Sequence, residues 1–270
     1  MTRLGIGKGD LARRRDIWWQ FTVRAIAVRH RGSYLGALWS VLQPLLMLGL
    51  YAFVFGTIFG GSFHGRSGET KMDYALALFL GLIFFNVLAD TLGSAPALLL
   101  AQASLVKRTI FPLEVLPLAQ LGAAWFNFLV SLILLLLGAT VVSRGVRIWG
   151  LLWLPVIILP HLALTIGLGW FLAALGVFLR DIQHATQFAA QVLLYASAVF
   201  YSPGIIGPTW WAVLRWNPFL HTIDLARDAL LWGLPLNLWH LLYTYFAGGI
   251  SLGLGLWFFE KTRPAFADVL

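Results

Sequence analysis

The chain has 270 residues, 60% of them hydrophobic and 11% charged, with a formal net charge of +8 and no cysteine. Soluble domains average roughly 45–50% apolar and about 25% charged, so this composition excludes a soluble globular fold. The lack of cysteine excludes disulfides and thiolate chemistry. The basic residues flank apolar runs, which points to lipid headgroups and membrane topology rather than to nucleic acid.

Residues 10–31, DLARRRDIWWQFTVRAIAVRHR, come before any long apolar run. Ile17, Phe21, Ile26 and Val28 alternate with Arg14, Arg15, Arg24 and Arg29 at roughly helical spacing, and Trp18 and Trp19 suit a headgroup layer. This pattern predicts an amphipathic helix lying in the membrane interface, as a topology anchor or as a gate. No cleavable signal peptide is expected, because the first apolar run lacks a small-residue cleavage site.

Crossing about 30 Å of hydrocarbon takes roughly 20 apolar residues in a helix. Such runs predict six transmembrane helices, at 36–60, 74–95, 112–142, 149–178, 186–202 and 238–259. Helical spacing, rather than strict alternation, argues against a β-barrel. The expected fold is an all-α integral membrane protein forming one domain over 1–270. Gly56 and Gly60, Gly169 and Ala173, and Gly249 and Gly253 are spaced for close helix contact.

Residues 203–237 are apolar but broken by Pro203, Gly204, Gly207, Pro208 and Pro218. Short re-entrant helices on the external side fit this segment, since broken backbone at membrane depth must be buried or line a cavity. Asn217-Pro218 reads as an N-cap followed by proline at the first helical position. It predicts a helix over 218–231 with Asp224, Arg227 and Asp228 on its polar side.

Six crossings put both termini on one side. With the N-terminus inside, Arg3, Lys8, Arg13, Arg14, Arg15, Arg24, Arg29, Arg31, Lys107, Arg108, Arg180, Lys261 and Arg263 are internal. Arg66, Lys71, Arg144, Arg147, Arg215 and Arg227 are external. That is 13 against 6, together the 19 Lys and Arg, and it favours cytoplasmic termini.

Four segments together resemble one family, the permeases of ABC exporters of lipid-linked polysaccharide. Residues 29–44, RHRGSYLGALWSVLQP, resemble the approach to that family's first span. SLVKRTIFPLEVLP at 104–117 resembles the turn between its second and third spans. Arg180-Asp181-Ile182, Tyr201-Ser202-Pro203 and Asn217-Pro218 are similar to its second half. The stretch from Phe259-Glu260-Lys261 to Phe266-Ala267-Asp268-Val269-Leu270 resembles the O-antigen branch in particular.

The resemblance implies a homodimer in the bacterial inner membrane with two copies of a separate ABC ATPase. It implies a glycan on a lipid carrier, usually undecaprenyl diphosphate, as the cargo. ATP and Mg would then sit on the partner ATPase, with no cofactor in this chain. This agrees with the absence of a G-x-x-x-x-G-K-[ST] pattern, which Gly5-Ile6-Gly7-Lys8-Gly9 does not satisfy.

Site residues follow from these readings. Ser104, Leu105, Lys107, Arg108, Ile110 and Phe111 are expected to couple to the ATPase, with Leu105, Val106, Ile110 and Phe111 filling an apolar groove on it. Arg29, Arg31 and Tyr34 are placed where a diphosphate headgroup would arrive, and arginine suits phosphate oxygens. Met47, Tyr51, Phe55 and Phe59 form a stripe at i+4 spacing, and Tyr195 and Tyr201, with Phe200, lie on the fifth span. Tyr51, Phe55, Phe59, Tyr195 and Tyr201 are read as channel-lining, because aromatic rings can pass sugar faces without trapping them. Trp210, Trp211 and Trp216 are read as an external gate.

Asn86 and Asp90 lie one turn apart on the second span. An intramembrane carboxylate marks a functional site by default, but a structural pair with an arginine of the interfacial helix is the favoured reading. The six histidines are scattered and read as polar surface or interfacial residues. Glu114 and Asp181 read as isolated. Two other functions stay open: a gradient-driven transporter or channel, which needs charges near the midplane, and a lipid-linked glycosyltransferase, which needs an acidic cluster.

Overall fold

The computed structural model describes residues 8–29, 32–58, 70–107, 111–142 and 148–270. Every regular element among them is helical. Helix α1 spans Lys8–Arg29, and α2 spans Trp39–Tyr51 and continues as a π-helical stretch over Ala52–Ile58. Then follow α3 (Lys71–Ala101), α4 (Ala103–Val106), α5 (Val115–Val142) and α6 (Ile148–Phe178). The second half holds α7 (Ile182–Ala196), α8 (Pro208–Leu214), α9 (Pro218–Arg227), α10 (Leu238–Thr262) and α11 (Phe266–Val269).

Among the described residues four helices are long and apolar enough to cross a membrane: Lys71–Ala101, Val115–Thr140, Trp149–Phe178 and Leu238–Val269. The first expected span is a shorter apolar helix, Trp39–Phe55. The fifth is shorter still, because α7 stops at Ala196 and the chain turns through Ala198, which has φ +53°.

The helix ends follow local chemistry. At the start of α3 the Thr70 hydroxyl accepts from Asp73 N at 3.1 Å, and the Asp73 carboxylate accepts from Thr70 N at 3.0 Å, a reciprocal cap. The Asn217 side chain accepts from Phe219 N with Pro218 in the first turn, as its sequence predicts. That helix turns π-helical over Asp228–Trp232 and ends at Gly233, in the left-handed region that glycine tolerates. Asn237 caps α10 in the same way.

Helix α3 is the axis of the bundle. Its most apolar stretch is 83% buried, against 22% for that of α10. A helix apolar all round, as Tyr74–Leu92 nearly is, belongs inside other helices. The π-helical stretch, α5, α6, α7 and α9 all pack against it. The more peripheral helices keep apolar side chains outward, among them Trp149, Phe188, Trp239, Phe246 and Leu254.

The close helix contacts differ from the glycine motifs read in the sequence. The most extensive helix pair is α6 with α10. It closes through Gly167 and Gly255: a Cβ on Gly255 would overlap the Gly167 carbonyl, and one on Gly167 would overlap the backbone of Ser251. Gly249 and Gly253 face open space, and Gly169 makes only ordinary contact with Thr91. Gly60 lies outside the described residues. Overpacking a tight contact costs about 1–3 kcal/mol. Gly255→Ala should therefore lower the thermal midpoint of the detergent-solubilised protein. Gly253→Ala should leave it unchanged or raise it, because alanine is the better helix former by about 1 kcal/mol. Equal loss in both variants would contradict this packing.

Candidate functional site

Three polar constructions interrupt this apolar bundle. The first docks the interfacial helix. The face of α1 that meets α5 carries Arg14, Trp18, Phe21, Thr22 and Arg29, whereas Trp19, Val23 and Val28 are exposed. The packed face is thus not a purely apolar stripe; ion pairs anchor it at both ends. Arg14 donates to the Glu114 carboxylate, Trp18 Nε1 donates to Leu118 O at 3.1 Å, and Phe21 meets Phe111 edge-on at 5.4 Å. Arg29 Nη1 donates to Asp90 Oδ2 at 2.8 Å, the structural pair expected from the sequence.

Glu114 is not isolated. Its second carboxylate oxygen lies 3.1 Å from Arg263 Nη1, and its backbone carbonyl accepts from Trp170 Nε1 at 3.0 Å. One side chain therefore holds α1 and the segment after α10. Its partners are 100 or more positions away in the chain, which explains why no local pattern revealed it.

The predicted coupling segment is folded onto this same end. Val106 is buried with Leu99, Leu113, Leu116, Phe259 and Phe266, and Leu105 and Phe111 pack against that cluster. The Phe111 carbonyl also accepts from Arg263 Nη2 at 3.5 Å. Val106 therefore faces inward rather than being free for a partner, and Ser104 and Lys107 are the exposed members. Arg108 and Ile110 lie outside the described residues.

The second construction is a cavity of about 330 Å³ between α2, α3 and α5. Arg29 and Asp90 line it together with Ser40, Gln43, Tyr51, Asn86, Asn127 and Ser131. Amides and hydroxyls thus converge from three otherwise apolar helices, and side chains of this kind both donate and accept. Of the predicted headgroup residues, Arg29 reaches this cavity and Tyr34 is fully exposed. Arg31 lies outside the described residues.

At the far end of α2 the structure brings most of the predicted aromatic residues together. Phe200 is the centre of the group. Phe55 stacks on it at 5.8 Å, Tyr195 lies at 5.8 Å and Tyr51 at 6.3 Å. Tyr74, which the sequence reading missed, meets Phe55 edge-on at 6.2 Å and donates to the Phe200 carbonyl at 3.1 Å. Tyr201 turns back instead, and its hydroxyl donates to the Tyr195 carbonyl at 2.6 Å. Phe59 lies outside the described residues.

The third construction is Arg227. The sequence reading put it on a polar outer face, but the structure buries it completely. Its Nε donates to Ala77 O at 2.9 Å, Nη1 to Ala198 O at 2.7 Å and Nη2 to Val199 O at 2.6 Å. Gly81 leaves the space, since a Cβ there would overlap Nη2. The guanidinium therefore ties α9 to α3 and to the break after α7, and a planar fork of donors suits three fixed carbonyls.

The predicted tryptophans lie on α8 and just after it. Trp210 and Trp216 are exposed, and Trp211 meets His221 edge-on at 6.2 Å. The Arg215 guanidinium sits 5.2 Å over the Trp216 ring. His221 is buried, stacks on His240 at 4.2 Å and bonds Arg215 O at 2.7 Å. His161 is buried too, against Phe84 O at 3.1 Å, so two of the six histidines are interior rather than surface residues. Among the described residues no three His, Cys, Asp or Glu side chains gather as metal ligands.

These features define a multi-helix membrane protein whose helix α1 docks on the bundle. The family model for the ABC-2 type transporter membrane component matches residues 17–231, and the chain belongs to that family. It is 26% identical over 258 residues to an O-antigen export system permease, RfbA, of Klebsiella pneumoniae, which covers 94% of this chain and 95% of that protein. It is 27% identical over 178 residues to the Myxococcus xanthus RfbA, 66% of this chain and 65% of that one. A polysialic acid transport protein of Escherichia coli, KpsM, is 23% identical over 237 residues, 85% of this chain and 83% of that protein.

Two expectations test this anatomy. Leaving a buried acceptor unpaired costs about 1–3 kcal/mol, and Arg227 serves three backbone carbonyls. Arg227→Met should therefore lose the folded protein in detergent, and Arg227→Lys, with one ammonium in place of the fork, should recover only part of it. For the ion-paired clamp, Glu114→Gln should raise deuterium uptake in residues 12–22 and leave residues 76–88 of α3 unchanged. Unchanged uptake in both segments would show that the clamp does not hold α1.

Proposed function

We propose that the chain is the permease half of an ATP-driven exporter that moves a lipid-linked polysaccharide of O-antigen type across the bacterial inner membrane. The observation that carries this reading is the similarity to O-antigen export permeases along 94% of the chain. The carrier is taken to be undecaprenyl diphosphate. The likeness to the polysialic acid transport protein keeps capsule export as the second reading.

In this reading the chain crosses the membrane six times, with α2 plus its π-helical extension and α7 joining the four long spans. The end that holds α1, Glu114 and Arg263 is cytoplasmic, as are both termini. Residues 203–237 dip in from the outside and return, with Trp210, Trp211 and Trp216 as an outer gate. Two copies form the working unit, because one tightly packed bundle around α3 leaves little room for a glycan, and a symmetric dimer supplies it at the axis. Two ABC ATPase subunits bind ATP and Mg.

Three sites carry the mechanism. Ser104, Leu105, Lys107, Arg108, Ile110 and Phe111 receive the ATPase stroke, with Ser104 and Lys107 facing outward and Phe111 anchoring the segment to α1. Arg29, Arg31 and Tyr34 receive the headgroup. Tyr51, Phe55, Phe59, Tyr195 and Tyr201 line the path, where many weak contacts let a polymer advance and one tight site would stall it. The exposed Tyr195 and the half-buried Tyr51 and Phe55 are in keeping with that role.

Co-purification tests the assembly: the tagged chain should bring down an ABC ATPase, and Lys107→Glu should weaken that association while the protein stays folded. A chain that purifies without an ATPase, yet still exports polysaccharide, would refute the reading. For the path, Tyr51→Ala should slow export at unchanged protein level, and Tyr51→Phe should be mild because the ring remains. Cysteine placed at 51 in this cysteine-free chain should react with water-soluble thiol reagents during transport.

A further inference from the structure

The Arg29–Asp90 pair is poorly explained as a stabilising contact. Its side chains are 24% and 40% exposed, and ion pairs with that much solvent access contribute little to folding. Its position is more informative. Both residues line the cavity whose other walls offer the Gln43, Asn86 and Asn127 amides and the Ser40 and Ser131 hydroxyls. Such a lining matches a ligand with hydroxyls at its rim, and among the described residues the one cation on it is held by the one anion on it.

We propose that Asp90 is a built-in substitute for the anionic end of the cargo. Its carboxylate occupies Arg29 while the cavity is empty, and a lipid diphosphate displaces it. This rests on the function proposed above and adds the regulation of its headgroup site. Carboxylate and phosphate oxygens compete for the same guanidinium geometry, and the diphosphate brings more charge. On exchange Arg29 keeps an anion throughout, so the C-terminal end of α1 is never left with an unpaired cation. Asp90 loses its partner and turns to the amide wall, where it can accept from hydroxyls of the first sugar. An uncharged lipid cannot make the exchange, and a phospholipid, with a single phosphodiester charge, competes less well than a prenyl diphosphate.

The test uses the permease–ATPase complex in nanodiscs of neutral lipid, titrated with undecaprenyl diphosphate, with undecaprenol as the uncharged control and inorganic diphosphate as the headgroup alone. The native complex should bind the diphosphate lipid and not undecaprenol. Asp90→Asn should bind it about tenfold more tightly, the scale of releasing one charge-assisted contact, and Arg29→Gln about tenfold more weakly. Asp90→Glu should return to native affinity. Equal tightening for inorganic diphosphate would place the exchange in the headgroup alone, as expected. Unchanged or weaker binding by Asp90→Asn, with the native complex binding normally, overturns the inference and leaves the proposed function standing. No binding by the native complex removes both. If Asp90→Asn does not assemble, the exchanged pair Arg29→Asp with Asp90→Arg decides: native affinity would mean that only an intact pair matters and would overturn the proposal, whereas weak binding by an assembled protein supports it.

Discussion

The bundle depends on one buried cation. Arg227 gives its hydrogen bonds to three backbone carbonyls, one on α3 and two in the turn after α7. A helix that stops at Ala196 leaves carbonyls without intrahelical partners, and in a low-dielectric surrounding they must be satisfied by something else. Here the partner comes from α9, a short helix whose Phe219, Ile223, Leu225 and Ala226 also pack into the core around α3. The break in α7, the return of the chain through α8 and α9 and the glycine at 81 are therefore parts of one solution. Remove the guanidinium and the turn at 197–199, α9 and the second turn of α3 each lose a partner at once.

The two ends of the bundle are built differently. The end with α1 is held by ion pairs that keep partial solvent access, at Glu114 and Asp90. The other end is held by ring contacts around Phe200 and by hydrogen bonds from Tyr74 and Arg227 to main-chain oxygens. Ion pairs with solvent access can exchange partners at modest cost, whereas fully buried charge–carbonyl networks cannot. The chemistry thus assigns adaptability to the end that carries α1 and rigidity to the first turns of α3 and the turn they support.

Much of this was legible in the sequence where the signal is local. Apolar runs gave the long helices within a few residues, Asn217-Pro218 gave the start of α9, and the pairing of Asp90 with an arginine of the interfacial helix followed from its depth along α3. What stayed hidden was the pairing of distant residues. Arg227 in an apolar but broken segment reads as an external charge, because its acceptors lie as far as 150 positions away. Glu114 reads as alone for the same reason. Glycine spacing named Gly249 and Gly253, yet which face of a helix meets a neighbour is set by packing, and Gly167 and Gly255 make the contact. The inward turn of Val106 was hidden too, since an apolar residue in a loop looks the same whether it serves its own core or a partner.

The shared carboxylate of Glu114 also has a consequence for the order of synthesis. Arg14 is available to it before α10 is made. Arg263 follows α10, so the second carboxylate oxygen acquires its partner only after that helix has been made. Until then Glu114 holds α1 alone, without its tie to the segment after α10. Completion of the clamp thus reports that α10 has been made and has packed against the bundle.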